Sequence, residues 1–303
     1  MMMRFLGRLR RALDQFDEMS RLLGQLGHAS GSVREALGRI EGRQVAGQSM
    51  PHLADYEFKV YSQWGEDGII QRLIQAVPVA QRIFVEFGVQ DYTESNTRYL
   101  LTHDNWSGLI LDGSDANIAA VKREPLYWRY NLKAVAAFVT RENINQLLRE
   151  NGLSGPIGLL SVDIDGVDYW IWEAIDAVTP ALVIAEYNAR FGPERAVTVP
   201  YDPAFVREQA HHSAIYYGAS LAALVALGRR KGYAFLGANS AGNNAFFVRR
   251  ELLPAGLPEI TAAQGYVPCR FREARNARGK LAFLSPEEEA AILELLPLVE
   301  VKP

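Results

Sequence analysis

The stretch IFVEFGVQDYTESNT, residues 83–97, decides the fold because it joins an apolar run to a polar turn. Residues 83–89 are almost uniformly apolar, which is typical of a strand buried on both faces of a parallel sheet. Gly88, near the end of the run, lets another group approach the backbone closely. The turn lacks the further glycines of the GxGxxG pattern, so the stretch does not predict a pyrophosphate site.

Short apolar runs and helical stretches alternate along the rest of the chain. The further runs lie at residues 108–113, 132–139, 157–164, 181–187 and 233–239. This order predicts right-handed crossovers and a mostly parallel sheet. The run at residues 244–250 follows after only SAGN, a spacing that suits a hairpin. We therefore expect an α/β fold with a Rossmann-like, mostly parallel seven-stranded sheet, one antiparallel strand near its edge, and an N-terminal helical appendage.

Three regions are expected along the chain. Residues 1–51 would hold amphipathic helices and a linker, residues 52–255 the main domain, and residues 256–303 a C-terminal extension packing on that domain. Glycines should end the first helix before a second, short helix from Val33 to Ile40. The glycines in question are Gly24, Gly27 and Gly31, and the linker residues are Gly42, Gly47, Ser49 and Pro51.

The first predicted helix carries apolar residues at steps of three and four, which form a stripe on one helix face. They are Phe5, Leu6, Leu9, Leu13, Phe16, Met19, Leu22, Leu23 and Leu26. We expect this stripe to pack on a second copy of the chain or on a partner protein. Arg4, Arg8, Arg10 and Arg11 make an acidic membrane surface an alternative, and a solvated helix is the third.

Composition excludes several classes of protein. Hydrophobic residues make up 49% of 303 residues, enough for a sizeable core, and the net charge of −3 gives no bias toward nucleic acid. The lone cysteine, Cys269, has no partner for an internal disulfide and no zinc-site spacing. No apolar run is long enough for a membrane span, and no secretory signal is recognised. We expect a cytoplasmic protein, with the inner face of the membrane as a second location.

Polar residues at the ends of the first two strands suit a nucleoside ligand without phosphates. Gly88 leaves room for a ligand against the backbone. The carboxylate of Asp112, at the end of the second strand, can accept both hydroxyls of a ribose, and Gly113 follows it.

At this point the sequence resembles the class I S-adenosylmethionine-dependent methyltransferases, and more closely their FkbM-like branch, which is linked to modification of sugars and polyketides. The resemblance covers roughly residues 56–250. It rests on YSQWGEDGII (61–70), FVEFGVQDYTESNT (84–97), GLILDGSDANI (108–118), LLSVDIDGVDYWIWEAI (159–175), IAEYNARFGP (184–193) and YYGASLAAL (216–224). It implies S-adenosylmethionine as the cofactor and a methyltransferase activity.

The resemblance also implies which residues hold that cofactor. Glu86 and Gly88 match the first motif of the family, beside the methionine part, and Asp112 matches the ribose-binding acid. Further candidates near the cofactor are Gln63, Asp91, Asn96, Gly113 and Asp163. Gln63, with Glu66, belongs to a segment that packs over the cofactor in related proteins, although a simple turn built on Gly65, Asp67 and Gly68 explains the same residues.

A second group of acids follows the fourth and fifth strands. Strand alternation puts Asp163 and Asp165 on one side, while Glu186 ends the neighbouring strand and Asn188 lies two residues on. These four hard oxygen donors predict a site for Mg²⁺, Ca²⁺ or Mn²⁺. In the alternative interpretation, Asp165 and Asp168 only cap the following helix.

We expect an O-methyltransferase acting on a hydroxyl, with a sugar in a glycan or a glycosylated metabolite as the acceptor. Removing the hydroxyl proton requires a divalent cation, Mg²⁺ or Mn²⁺, or a general base. The candidate catalytic residues are Asp163, Asp165 and His211. A metal-independent enzyme with His211 or Asp163 as base is the first alternative. A non-catalytic scaffold for a glycan-modifying partner is the second, and a nicotinamide oxidoreductase shares the sheet topology.

Two further sets of residues are candidates for acceptor binding. The aromatic side chains near the same rim can stack on a sugar, although packing in the core explains them as well. They are Tyr169, Trp170, Trp172, Tyr216 and Tyr217. Arg190 or Arg195 can bind an anionic group on the acceptor, or can be a solvated surface charge.

Overall fold

The computed structural model describes residues 2–302, and the side chains of residues 13–302 apart from residue 28. Its strands are β1 (Ile83–Phe87), β2 (Ser107–Asp112), β3 (Leu132–Ala136), β4 (Gly155–Val162), β5 (Val178–Glu186), β6 (Val197–Thr198), β7 (Tyr233–Ala238), β8 (Asn244–Arg249) and β9 (Val299–Glu300). Seven of them form one sheet in the order β3-β2-β1-β4-β5-β8-β7, and β6 pairs with β9. Strand β8 runs antiparallel to both neighbours, whereas the other pairs are parallel. The expected fold is confirmed.

Helices cover both faces of the sheet. They are α1 (Met2–Ala46), α2 (Glu66–Ala76), α3 (Arg98–Thr102), α4 (Asp115–Arg123), α5 (Pro125–Arg129), α6 (Ile144–Glu150), α7 (Asp168–Ala174), α8 (Arg207–Ala210), α9 (Leu221–Arg230), α10 (Ala262–Gly265) and α11 (Pro286–Glu294). Alternate side chains of β1 pack in two separate core clusters. Val85 lies in the cluster with residues of α6, α7 and α9, while Phe84 lies in the cluster with residues of α2, α3, α4 and α5. This period of two is what the strand geometry requires.

Helix α1 is a single helix of 45 residues, so the predicted break and the second helix are wrong. A glycine inside a helix costs only about 1 kcal/mol relative to alanine, and Gly24, Gly27 and Gly31 do not end the helix. Gly42 lies inside the helix and not in a linker, which begins at Gly47. Gly38 lies so close to the domain that a Cβ would be 2.4 Å from Val60. Glycine here lets the end of α1 approach the domain.

The C-terminal residues join the main domain. Strand β9 pairs with β6, and Ala274 and Leu293 are buried in the core with α7 and α9. Phe271 stacks on Trp64 with ring centroids 5.3 Å apart. The boundaries after residues 51 and 255 remain predictions. Within the described residues, no helix has both the length and the apolarity to cross a membrane.

The segment YSQWGEDG is held by two buried acids. Asp67 Oδ2 accepts hydrogen bonds from the backbone N–H groups of Val60, Tyr61 and Ser62, at 2.7–2.8 Å, and from the Ser62 hydroxyl. Glu66 is fully buried and accepts from the side chains of Asn239 and Asn244. Buried N–H groups require acceptors. These contacts favour the turn interpretation of this segment.

Removing the Asp67 carboxylate should therefore destabilise the domain. Asp67→Ala leaves three buried N–H groups without an acceptor, and we expect it to lower the free energy of unfolding by roughly 3 kcal/mol or more. Asp55→Ala is the control, because among the described residues Asp55 accepts only from the exposed His52 N–H, at 3.1 Å. This substitution should cost about 1 kcal/mol or less. Urea unfolding of both variants checks this. Equal losses would contradict the role given to Asp67.

Candidate functional site

The loops after β1 and β4 meet at the carboxyl edge of the sheet. Gly88 has φ of +69°, and its N–H donates to the Leu111 carbonyl at 3.0 Å. A Cβ on Gly88 would lie 1.8 Å from the carbonyl oxygen of Asp163. Only glycine fits this conformation and this contact. The loop carrying Asp163 is thereby held against the end of β1.

A cavity opens beside this contact, with about 710 Å³ of empty space, part of it open to solvent. Four of the predicted cofactor residues line it: Gly88, Asp112, Gly113 and Asp163. Gln90, Phe138, Ile164, Gly166 and Phe205 line it as well.

Asp112 is buried at the cavity wall and orders the residues around it. Its Oδ2 accepts from the Gln90 N–H at 2.8 Å. Its Oδ1 accepts from the Ser114 N–H and from the Asn117 side chain, at 2.9 and 3.0 Å. Each carboxylate oxygen can accept more than one hydrogen bond, so Asp112 can also accept from a bound hydroxyl.

Phe138 was not among the site residues predicted from the sequence. It follows β3 at the same sheet edge, and it lines the cavity with its side chain half exposed, at 51%. Gly113 lies beside it, since a Cβ there would be 3.4 Å from the Phe138 ring. An exposed aromatic ring in a cavity can stack on a flat ligand. The sequence contained a signal for it, because Phe138 lies next to the end of the third apolar run, at the rim that already carried Asp112.

The other predicted cofactor residues do not line the cavity. Glu86 is buried, and its carboxylate accepts from the N–H groups of Asn96 and Thr97 and from the hydroxyls of Ser95 and Thr97. Burial, which outweighs these hydrogen bonds, raises the pKa of Glu86. The Asn96 side chain donates to Ser161 Oγ at 3.1 Å. The structure therefore gives Glu86 and Asn96 the role of anchoring the turn at residues 95–97.

Asp91 and Gln63 also lie outside the cavity lining. Asp91 Oδ1 accepts from the N–H and the hydroxyl of Thr93, at 3.0 and 2.6 Å, and these bonds lower the pKa of Asp91. Gln63 is exposed. Asp91 is thus the cap of a local turn, a role that the sequence alone did not separate from ligand binding.

Three predicted metal ligands converge next to the cavity. Oxygen atoms of Asp163, Asp165 and Glu186 all lie within 4.8 Å of one another. Glu186 Oε2 is buried without a hydrogen-bond partner among the described residues. Asp163 belongs to this acid group and to the cavity wall alike. The acid group is defined here as these three residues.

Charge repulsion within the acid group is offset only in part. Burial is the largest cause raising the pKa of Asp163 and of Glu186 well above the usual value for each. The neighbouring carboxylates, Asp165 first for Asp163 and Asp163 first for Glu186, raise both further. Carboxylates in this situation take up a proton or bind a cation.

Arg207, which the sequence analysis also missed, brings a positive charge to the acid group. It forms ion pairs with Asp165 and, at 2.5 Å, with Glu273. Its guanidinium carbon lies 3.8 Å from the centre of the Tyr217 ring. Arg207 lowers the pKa values of Asp163 and Glu186, against the effect of burial. No sequence motif marks Arg207, because its position depends on how the chain folds back after β6.

Asn188 and His211 have other roles than those predicted. Asn188 is buried, donates to the carbonyls of Ile215 and Tyr217, and accepts from the Arg190 N–H. Because its side-chain amide is used in these contacts, we do not assign Asn188 as a metal ligand. His211 pairs with Ser213 Oγ at 2.7 Å, and forms no hydrogen bond or ion pair with an acid of the described chain. Burial lowers the pKa of His211.

Asp168 orders the loop before α7 and does not cap that helix, so the alternative interpretation is wrong for it: α7 begins at Asp168 and has no side-chain cap. Its oxygens accept from the N–H groups of Ile164 and Gly166, at 2.7 and 3.0 Å. Burial raises its pKa to about 6. Asp165 does not share this role, because its side chain pairs with Arg207.

The predicted acceptor-binding residues are mostly used within the fold. Trp172 lies in the core, Trp170 donates to the Val199 carbonyl, and Tyr169 accepts from Arg230. The Tyr216 and Tyr217 hydroxyls donate to Pro297 and Glu273. Arg190 is buried between Glu273 and Glu289, at 2.8 Å from each, and is not available to an acceptor. Arg195 is exposed.

Comparison with known proteins gives distant structural similarities. No protein-family model and no curated protein match the chain. The N-terminal domain of EvdMO1 with S-adenosylhomocysteine (SAH) bound is 16% identical, with 69% of this chain and 94% of that chain covered and a TM-score of 0.40. The O-methyltransferase from Bacillus cereus in complex with SAH is 14% identical, with 71% and 89% covered and a TM-score of 0.35. PKMT2 from Rickettsia typhi is 9% identical, with 65% and 55% covered and a TM-score of 0.42. At these values the similarities carry no argument about function.

The contact between the β1 and β4 loops leads to a paired prediction. Gly88→Ala adds a Cβ at a positive φ and against the Asp163 backbone, and should lower the free energy of unfolding by about 2–4 kcal/mol. Gly113→Ala is the matched control in the same cavity, because its Cβ meets only the Phe138 ring at 3.4 Å. We expect it to change the free energy of unfolding by less than about 1 kcal/mol. Chemical denaturation measures both, and equal losses would show that the close approach at Gly88 is not a constraint.

Proposed function

We propose that this chain is an S-adenosylmethionine-dependent O-methyltransferase that acts on a hydroxyl group with the help of a divalent cation. One observation carries the proposal: Asp163 lines the cavity that also contains Gly88, Asp112 and Phe138, and it belongs to the acid group with Asp165 and Glu186. A nucleoside site and a cation site would thus share one wall.

The cavity fits the nucleoside part of the cofactor. Asp112 is the acceptor for ribose hydroxyls, Gly88 leaves room at the backbone, and Phe138 offers a face for the adenine ring. When bound, S-adenosylmethionine supplies an electrophilic methyl group on a sulfonium. The protein must hold the acceptor oxygen in line with that methyl group. The acid group would do so from its position at the cavity wall.

The acid group fits a hard divalent cation such as Mg²⁺ or Mn²⁺. Carboxylates are the donors that such ions prefer, and here three lie within reach of one ion. One of them, Glu186, has a buried oxygen without a hydrogen-bond partner in the described part of the chain. A bound cation would lower the pKa of a coordinated hydroxyl. Asp163, Asp165 and Glu186 would hold it, and Arg207 would give up part of its pairing with Asp165.

A metal-independent enzyme is the second candidate, and Arg207 is the observation that favours it. Its guanidinium already neutralises Asp165 and lowers the pKa values of Asp163 and Glu186. In that version the Asp163 carboxylate at the cavity wall takes the hydroxyl proton. Burial raises the pKa of Asp163 more than Arg207 lowers it, and a base with a raised pKa is effective near neutral pH. His211 is left out, because it pairs with Ser213.

We propose a sugar hydroxyl as the acceptor, in a glycan or a glycosylated metabolite. The support within the site is Phe205, which lines the cavity next to Gly166 and offers an apolar face to the C–H groups of a sugar ring. Incorporation of labelled methyl groups from S-adenosylmethionine into a panel of sugars tests this class.

Cofactor binding is testable through Phe138. Calorimetry with SAH should give saturable binding to the native chain, and Phe138→Ala should weaken it about tenfold, since stacking on a base is worth roughly 1–3 kcal/mol. The ring is half exposed, so the variant should fold normally. Phe283→Ala, which removes an exposed ring elsewhere, should bind like the native chain. No SAH binding by the native chain, or equal affinity in all three proteins, would refute the proposed cofactor site.

Cation binding is testable without turnover. We expect Mn²⁺ to bind the metal-free native chain, as measured by calorimetry, and Glu186→Gln to weaken the binding by about tenfold or more because one anionic ligand is lost. Glu208→Gln removes one exposed negative charge from α8 and should leave the affinity unchanged. Unaltered Mn²⁺ affinity in Glu186→Gln, or no binding by the native chain, would favour the metal-independent enzyme.

A further inference from the structure

Helix α1 has two different faces, and its own domain uses only one. Along the last third of the helix, Glu35 accepts from the Tyr61 hydroxyl, a Cβ on Gly38 would meet Val60, and Val45 is buried with Tyr56 and Phe58. Gly42 lies on the same face, and a Cβ there would be 3.8 Å from Phe58. This face, at residues 35, 38, 42 and 45, is the domain face of α1.

The opposite face carries an apolar stripe that is exposed along its described length. Its members, separated by alternating steps of three and four residues, are Phe16, Met19, Leu23, Leu26, Ser30, Val33, Leu37 and Ile40. Seven of these eight are apolar, and each of the seven is 50–66% exposed. Leu13 and Leu22 flank the stripe and are 57% and 51% exposed. This set is called the heptad stripe below.

The period of the heptad stripe indicates the geometry of its partner. Steps of three and four alternate without a break from Phe16 to Ile40, and the sequence continues the same spacing back through Ala12, Leu9, Phe5 and Met2. A repeat of 3.5 residues drifts by about 20° per heptad around a straight helix, so a flat surface cannot contact all of it. A second helix that winds around the first with a left-handed supercoil can. The period therefore favours a helix over a membrane surface.

The middle of the stripe lacks the basic flanks that an anionic membrane would attract, and Arg4, Arg8, Arg10 and Arg11 all precede it. Between residues 13 and 33, where the apolar members are 51–66% exposed, the chain has Asp14, Asp17 and Glu18 against one arginine, Arg21. Arg21 pairs with Glu18 at 3.9 Å on the outer side of the helix. The positions that flank the stripe in this interval are apolar or uncharged: Leu13, Gln15, Ser20, Leu22, Gly27 and Ala29. Because these flanking residues carry no charge, two identical stripes can pack against each other without repulsion between like charges.

We propose that the heptad stripe forms a coiled coil with the same stripe of a second copy of this chain. The two stripes match because their period is identical, and the domain face stays free to hold each catalytic domain at the end of the helix. If each of the nine exposed apolar side chains loses on the order of 60–100 Å², two chains bury roughly 1,100–1,800 Å². Stable protein interfaces bury about 1,200–2,000 Å².

The test is the mass of the full chain in solution. Sedimentation or light scattering at micromolar concentration should give at least twice the 33.8 kDa of one chain. The double variant Leu23→Glu with Leu26→Glu puts charges into the stripe and should give the mass of one chain. The matched control, Gly24→Glu with Gln25→Glu, adds the same charges one residue away, at positions outside the stripe, and should keep the native mass. A Cβ on Gly24 meets nothing within 4 Å.

Two results would overturn the proposal. One is a monomeric native chain, including a monomer that binds vesicles of anionic phospholipid through this stripe. The other is an unchanged multimeric mass in the Leu23→Glu, Leu26→Glu variant. Thermal unfolding of the domain core should occur at the same temperature in that variant and in its control, measured at equal protein concentration. A lower temperature in the variant would reveal a general folding defect. Site-specific cross-linking at Ile40→Cys in a Cys269→Ser background should link two native stripes but not two stripes carrying the glutamates.

Discussion

The close approach of Gly88 to the carbonyl oxygen of Asp163 is the contact on which the candidate site depends. It joins the ends of β1 and β4 so tightly that a Cβ on Gly88 would lie 1.8 Å from that oxygen. The contact fixes the start of the loop that carries Asp163 and Asp165, while Glu186 ends the adjacent strand β5. The positions of the cavity wall and of the acid group follow from this one backbone contact, since side-chain placement in a site requires a rigid support.

The acid group is costly, because three carboxylates meet and one of them, Glu186, is buried from water. The chain offsets part of that cost through a network that reaches the C-terminal extension. Arg207 pairs with Asp165 and Glu273, and Glu273 also pairs with Arg190, which in turn pairs with Glu289 in α11. The C-terminal residues thus bear on the electrostatics of the site, although they lie far from it in sequence. A cation at the acid group and the pairing of Arg207 with Asp165 are alternative ways of neutralising the same charge.

The sequence predicted what depends on local pattern. Apolar runs and their spacing gave the seven-stranded sheet and the antiparallel strand, and the rule that ligands bind at the carboxyl ends of strands pointed to Gly88, Asp112 and Asp163. It could not separate acids that face a cavity from acids that cap turns, because both follow strands: Asp91, Asp168 and Glu86 bind N–H groups and hydroxyls of their own chain. Arg207 was out of reach, since its place depends on tertiary contacts. The break predicted in α1 is wrong because each glycine costs a helix only about 1 kcal/mol, and the residues between the glycines continue the helix.

The central claim is that a methyl donor and a cation share the wall formed by Asp163. A crystal structure of the chain with SAH and Mn²⁺ tests it most directly, because the anomalous signal locates the ion independently of activity. The account predicts the adenosine between Asp112 and Phe138, next to Gly88, and a manganese peak bound by Asp163 and Glu186. A cavity without SAH at saturating concentration, together with side chains of Asp163 and Glu186 that share no ion, would contradict it.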